Sequence, residues 1–79
     1  MQNLVDATGL TCPLPVLRAQ KALSSLKAGD IITVHATDPL SRIDIPHFCQ
    51  QSGHRLINNF DQKNDLNNET VYVFEIRHK

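Results

Sequence analysis

The chain has 79 residues, and its eight basic and eight acidic side chains give a formal net charge of zero. A chain of this length makes one domain, so we expect residues 1–79 to form a single unit. The balanced charge and a pI of about 6.9 lack the basic surface of a general nucleic-acid binder, so we expect no direct nucleic-acid partner.

The cysteine content and the first residues predict the cellular location of the protein. Cys12 and Cys49 are the two cysteines of the chain, and nothing else resembles a secreted scaffold that is dense in disulfides. Residues 1–6 lead directly into a strand pattern, with no basic region followed by an apolar signal core and no long apolar run. We therefore expect a cytoplasmic protein with no membrane span.

The first half of the chain predicts a strand, a helix and a second strand. Leu4–Ala7 is a short apolar run ended by Thr8-Gly9, and apolar residues at spacings of three and four predict a helix over Pro13–Leu26. Ile31–Ala36 is β-branched and continuous enough to be a central strand. Since a strand, a helix and a strand within about thirty residues make a βαβ unit, the two strands should be parallel.

The second half predicts another helix and a hairpin. We expect the helix to begin with Asp44 as its N-cap, so that Pro46 falls in the first turn, and to end at Gly53. Two strands and an exposed loop between them should follow, at Arg55–Phe60, Thr70–Arg77 and Asp61–Asn68. The order βαβαββ predicts an α+β fold, a two-layer sandwich with two helices on one face of a four-stranded mixed sheet.

The segment Gly9–Pro15 carries the main chemical signal, because it places Cys12 immediately before a helix whose first turn contains prolines. Unpaired N–H groups and the helix dipole favour an anion there, and Leu14 supplies the N–H group best placed to face the sulfur. An ordinary thiol is only ~3% ionised at pH 7, and the helix end by itself raises that fraction several-fold. We therefore expect a thiolate-prone sulfur site, with an inert buried cysteine as the alternative.

The remaining reactive side chains favour structural roles. Cys49 lies in the second helix among apolar neighbours and is predicted to be a buried structural cysteine, with a resolving thiol for Cys12 as the alternative. His47 and His54 are close to Cys49 in sequence, but the spacing matches no zinc pattern, so we expect solvated histidines and no metal. We expect no cofactor.

The charged side chains near the predicted site are also expected to be solvated. Arg18 and Lys21 lie on the exposed face of the first helix, where tuning of the thiolate or contact with an acidic partner is the alternative. Asp44 is expected to cap its helix, with partner recognition as the alternative.

From Leu4 to Lys79 the chain resembles the TusA (SirA-like) sulfur-carrier family. The landmarks occur in the family's order, and the Cys-Pro-x-Pro element after Gly-Leu is the most specific of them. The matching segments are Gly9–Pro15, Gly29-Asp30, Asp38-Pro39, Asp44–Cys49, Gly53-His54 and Phe74–Arg77.

The resemblance implies that Cys12 is the catalytic residue and carries sulfur as a persulfide. It implies two partners, a sulfur-donor protein such as a cysteine desulfurase and a downstream acceptor protein. Members of the family serve tRNA thiolation, molybdenum-cofactor sulfuration or the oxidation of sulfur compounds. Leu14 replaces the acidic residue of the tRNA-thiolation subgroup, and Arg42 is also placed differently, so the pathway stays open.

Two alternatives to a sulfur carrier remain at this point. One is a thiol–disulfide redox or regulatory protein that uses Cys12 and Cys49. The other is an interaction module without catalysis. The sequence also leaves open whether the chain is an enzyme or a carrier with sulfurtransferase-like chemistry.

Overall fold

A computed structural model describes residues 2–79 and confirms the predicted order βαβαββ. Six elements occupy these residues: β1 Gln2–Ala7, α1 Leu14–Ser24, β2 Ile31–Ala36, α2 Ser41–Ser52, β3 Arg55–Asn64 and β4 Glu69–Arg77. The four strands form one sheet in the order β1-β2-β4-β3, so β2 is an interior strand as predicted. β1 and β2 are parallel, whereas β4 runs antiparallel to both β2 and β3.

Both helices cover one face of the sheet, and the core lies between the two layers. α1 packs on β1 and β2, and α2 packs on β3 and β4. The side chains that fill the core follow the alternation of the strands and one stripe of each helix. Its largest fully buried members include Leu23, Ile32, Val34, Ile45 and Ile76.

The second helix begins earlier than predicted, and Asp44 is not its N-cap. α2 begins at Ser41, with Leu40 at the N-cap position, so Pro46 lies inside the helix. The first backbone bonds run from the Ser41 N–H to the Asp38 carbonyl (2.9 Å) and from the Arg42 N–H to the Pro39 carbonyl. Proline so close to a helix start removes only one hydrogen bond of the helix, which the packing of α2 on the sheet tolerates.

The hairpin is longer than predicted. β3 continues to Asn64, so the segment 61–64, predicted as loop, pairs with β4. This end of the hairpin projects past β2, whose last residue Ala36 pairs with Tyr72. Polar side chains are tolerated there because they stay in solvent, and only residues 65–68 form the turn.

β4 has buried apolar side chains on both of its faces. Phe74 and Ile76 face the helices and join the core, as the alternation predicts. Val73, on the opposite face, is only 2% exposed although no helix covers it. His35 and Phe60 are its direct cross-strand partners on the two neighbouring strands. Directly opposed side chains lie close enough together to cover one another on the open face of a sheet.

Candidate functional site

The site around Cys12 forms where two parallel strands end. β1 and β2 are parallel and in register, so the loops that follow them meet at one edge of the sheet. The Gly9 N–H donates to Thr37 Oγ1 at 2.9 Å, which ties the loop after β1 to the loop after β2. Gly9 has φ +79°, a left-handed conformation that glycine adopts without steric cost.

Cys12 is exposed and is held by two carboxylates from the second loop and helix. Its backbone N–H donates to Asp38 Oδ2 at 2.7 Å, and its Sγ donates to Asp44 Oδ2 at 2.5 Å. Asp38 Oδ1 accepts the Leu40 N–H at 3.1 Å. One carboxylate therefore fixes both the backbone of Cys12 and the entry into α2.

These contacts correct the predicted electrostatics of Cys12. The hydrogen bond to Asp44 is the largest of the effects that raise the pKa of the Cys12 thiol, followed by desolvation and by the charges of Asp44 and Asp38. A carboxylate that accepts the thiol proton stabilises the protonated form, and a nearby negative charge disfavours the thiolate. The prediction that the sulfur favours a thiolate was therefore wrong.

The predicted helix-start donor does not reach the sulfur either. α1 begins at Leu14, with Pro13 as the N-cap residue, so Cys12 lies one residue farther from the helix than predicted. The Leu14 N–H donates to the Thr11 carbonyl at 2.9 Å. Because this donor is already used within the loop, it is not directed at Sγ.

A shallow groove between α1 and α2 begins at Cys12. It encloses about 270 Å³ and has apolar walls from Pro13, Val16 and Phe48. His47 and Gln51 line the side formed by α2, and His47 is exposed as predicted. The sulfur therefore lies on an open surface that another macromolecule can reach, in contrast to an enclosed substrate pocket.

Cys49 is a buried core cysteine, as predicted. Its side chain is 3% exposed, and burial raises the pKa of its thiol to about 11. Both cysteines are free. Since a thiol that rarely ionises is a poor nucleophile, Cys49 is inert in the folded protein.

Among residues 2–79, neither basic residue of α1 makes a hydrogen bond to Cys12. Arg18 is exposed, and its Nη1 donates to the carbonyl oxygen of Asp6 at 3.3 Å. Lys21 is exposed in the last turn of the helix. The alternative in which either residue tunes the thiolate has no contact that supports it.

His47 is exposed as predicted, whereas His54 is only partly solvated. His54 is half-buried, its ring centroid lies 5.9 Å from that of Phe48, and its Nδ1 accepts the Lys79 N–H at 3.2 Å. Over residues 2–79, no three histidine, cysteine or acidic side chains lie close enough together to hold a metal ion.

Sequence reasoning missed Asp38 and misassigned Asp44 as a cap. A signal for Asp38 was available, because it follows the second strand of a parallel pair and so lies at the same sheet edge as Cys12. Asp44 gave no such signal, since its position depends on where α2 begins. The residue that organises the loop after β2 is Asp38, and the residue that contacts the sulfur is Asp44.

The fold and the site define a small two-layer α/β domain with an exposed cysteine at the junction of its first strand and first helix. The family model described as sulfurtransferase TusA matches residues 3–77. The chain therefore belongs to the TusA family of sulfur carriers, as the motifs predicted.

Several relatives are similar over nearly the whole chain. A protein of Neisseria meningitidis serogroup A, named as a candidate sulfur carrier, is 43% identical over 75 residues, which cover 95% of this chain and 93% of that protein. The sulfur carrier protein TusA of Pseudomonas entomophila is 41% identical over 75 residues, with 95% and 86% covered. The crystal structure of a SirA-like protein from Desulfitobacterium hafniense matches with a TM-score of 0.71 at 30% identity, and both chains are covered completely.

No helix among residues 2–79 has the length and apolar character required to cross a membrane.

Proposed function

We propose that this chain is a single-domain sulfur carrier that holds sulfane sulfur as a persulfide on Cys12. The supporting observation is the placement of that thiol, exposed at the sheet edge and in contact with Asp44 Oδ2 at 2.5 Å. Membership of the TusA family supports the same chemistry. Cys49 takes no part in the proposal because it lies in the core.

Loading is a thiol–persulfide exchange with a donor protein such as a cysteine desulfurase. The Cys12 thiolate attacks the terminal sulfur of the donor persulfide, and the sulfur–sulfur bond of the donor breaks. The electron pair of that bond leaves on the donor thiolate, while a new sulfur–sulfur bond forms on Cys12. No external oxidant is needed, because the sulfur atom moves without a net gain or loss of electrons.

Asp44 has a proton-accepting role in this proposal. The thiol already donates to Oδ2 of this carboxylate, so the proton has an acceptor when the sulfur attacks. Until then the raised pKa keeps Cys12 protonated and slows its side reactions with other disulfides. The terminal sulfur of the loaded persulfide lies one bond farther from Cys12 and is more acidic than a thiol, so it ionises more readily.

Delivery requires an acceptor protein whose sulfur reaches Cys12 over the open groove. tRNA thiolation, molybdenum-cofactor sulfuration and sulfur oxidation are the pathways in which family members act, and Leu14 leaves the choice among them open. Leu14 is 44% exposed beside the site, so it would contact the partner directly. We expect the exchange to occur in the cytoplasm, where thiols are kept reduced.

The test loads the protein with a cysteine desulfurase and free cysteine and measures its intact mass. We expect the mass of one added sulfur atom on the wild-type protein and on Cys49→Ala, and none on Cys12→Ser. Addition of a reductant should remove the extra mass. Loading that persists in Cys12→Ser, or that is absent from the wild type with every donor tried, would refute the proposal.

The redox alternative has less support. A disulfide between Cys12 and Cys49 would require a side chain that is 3% exposed to leave the core. Titration against glutathione buffers separates the two functions, because a redox protein would show one reversible two-electron couple. The interaction-module alternative predicts instead that Cys12→Ser leaves partner binding and phenotype unchanged.

A further inference from the structure

The end of the sheet opposite Cys12 carries a cross-strand pair of arginines. Arg55 begins β3 and Arg77 ends β4, and the two residues are direct partners in the antiparallel register. Directly opposed residues share a face of the sheet and have closely spaced side chains, so two like charges at such a pair are unfavourable. Although the chain as a whole has no net charge, the paired arginines concentrate positive charge at this end of the sheet.

The two arginines line one hollow together with further donors. The hollow encloses about 430 Å³, and no aspartate or glutamate is among the residues that line it. Two glycines from neighbouring turns form part of its wall and leave it open. The residues that define this basic hollow are Gly29, Gly53, Arg55, Arg77, His78 and Lys79.

The glycines leave room for the basic side chains. A Cβ atom at Gly29 would lie 3.8 Å from Arg77 Nη2, and one at Gly53 would lie 3.3 Å from Lys79 Cδ. Both glycines have positive φ, +91° and +85°. The turns after α1 and α2 therefore bring bare backbone up to Arg77 and Lys79.

His54 lies next to two of the basic residues of the hollow, His78 and Lys79. Desolvation lowers the pKa of its imidazole most, and the charges of His78 and Lys79 lower it further. The rings of His54 and His78 are in edge contact, with centroids 4.7 Å apart. A positive potential of this kind attracts anions and is strengthened where low-dielectric walls concentrate it.

Among residues 2–79, hydrogen bonds account for Lys79 and His78, whereas neither arginine side chain has a hydrogen bond or an ion pair. Lys79 Nζ donates to the Ser52 carbonyl at 2.7 Å and so stabilises the carboxyl end of α2, where a cation is favoured. His78 Nδ1 lies 2.8 Å from a main-chain carboxylate oxygen of Lys79, the last of the 79 residues. Arg55 and Arg77 lie on strands, where no helix dipole favours them.

We propose that the basic hollow binds a small tetrahedral oxyanion of the phosphate or sulfate type, held between the guanidinium groups of Arg55 and Arg77. Guanidinium is planar and presents paired N–H donors, a geometry that matches the oxygens of such an anion. A bound dianion would also cancel the repulsion between the two arginines. The site lies at the opposite end of the strands from Cys12 and is independent of sulfur transfer.

The test is a titration of the ¹⁵N-labelled protein with inorganic phosphate, sulfate and chloride at constant ionic strength, followed by NMR. Two charge-assisted contacts predict a dissociation constant of about 1 mM for the dianions. The saturable shifts should be confined to the basic hollow and to the arginine side chains. Arg77→Gln should weaken binding about tenfold, and the double variant Arg55→Gln/Arg77→Gln should abolish it.

Matched controls separate this site from general charge effects. Arg42→Gln removes a cation that lies 5.8 Å over the Tyr72 ring, outside the hollow, and should leave phosphate binding unchanged. Cys12→Ser should also bind phosphate normally, so failure of the proposed carrier function would not affect this result. A titration with methyl phosphate distinguishes two classes of ligand. Equal affinities for methyl phosphate and inorganic phosphate indicate a site for phosphomonoesters. Weaker binding of methyl phosphate indicates a site for the free inorganic anion.

Thermal unfolding provides a second readout. Without phosphate, the double variant should melt at or above the temperature of the wild type, because the like-charge pair is gone. Added phosphate should then raise the melting temperature of the wild type alone, as ligand linkage requires. Equal effects of chloride and phosphate, shifts that do not saturate, or equal phosphate binding by the double variant would overturn the proposal.

Discussion

Replacement of Asp44 by asparagine should make Cys12 more reactive at neutral pH. The amide oxygen of asparagine can still accept a hydrogen bond from the thiol, but the substitution removes the negative charge that lies beside Sγ. Asp44 supplies the largest of the effects that raise the pKa of this thiol, together with one of the two charges that act on it. The pKa of Cys12 should therefore fall in Asp44→Asn, even though Asp38 remains.

The expected size follows from the type of hydrogen bond. A charge-assisted hydrogen bond is about twice as strong as a neutral one, and that difference corresponds to roughly a fivefold change in an equilibrium constant. Solvent screening at an exposed site reduces the effect, so alkylation at pH 7 should become about two- to fivefold faster. An ordinary thiol is ~3% ionised at pH 7, and this fraction sets the upper limit for the variant.

The assay measures the rate of Cys12 alkylation by iodoacetamide between pH 6 and pH 10. Cys49→Ala serves as the background, so that a single thiol is observed. For the wild-type protein, the midpoint of the profile should lie at a higher pH than that of an unstructured cysteine peptide. In Asp44→Asn the midpoint should move to lower pH. Asp65→Asn, an exposed residue of the hairpin turn, is the matched control and should leave the midpoint unchanged.

Two results would contradict the argument. The first is a wild-type midpoint below that of the peptide, which would mean that the helix start dominates over the two carboxylates. The second is an unchanged or higher midpoint in Asp44→Asn. Circular dichroism of each variant verifies that α2 remains folded.

Three further predictions concern stability. Cys49→Ser should lower the free energy of unfolding by about 1–3 kcal/mol, because it buries a hydroxyl at a site that is 3% exposed, and Cys49→Ala should cost less; urea unfolding of both variants tests this order. Ser41→Ala should leave the free energy of unfolding unchanged or raise it by about 1 kcal/mol, since Ser41 Oγ is buried without a hydrogen-bond partner within residues 2–79, and a loss above about 1 kcal/mol would contradict this. His54 should titrate below 6.5 by NMR, because desolvation disfavours its charged form; the unfolded chain then takes up its proton first, so stability should fall as the pH drops below about 6.5, and His54→Gln should weaken that dependence.

The sequence by itself determined most of the local structure. The period-two and period-3.6 patterns located the helices and strands, because each pattern reports which face of one element is buried. Gly53 ends α2 in the left-handed conformation, as predicted, since glycine adopts that conformation without steric cost. The Cys-Pro-x-Pro element and its neighbours identified the family, which the comparisons confirmed.

Element boundaries that depend on context were less accessible to sequence reasoning. The start of α2 was placed at Asp44 because proline is favoured in a first turn, whereas packing on the sheet lets the helix accept Pro46 in its interior. Likewise, β3 extends to Asn64 through residues with turn-like composition, because backbone pairing with β4 outweighs their weak strand preference.

Only the tertiary structure decided the electrostatic state of Cys12. Its immediate neighbours in sequence, a helix start with an uncharged first turn, predicted a thiolate. Asp38 and Asp44 lie 26 and 32 residues farther along the chain, and the parallel pairing of β1 with β2 brings them to the same edge of the sheet. The pKa of a group depends on which charges surround it in space, so the sequence located the sulfur, and the fold determined which side chain accepts its proton.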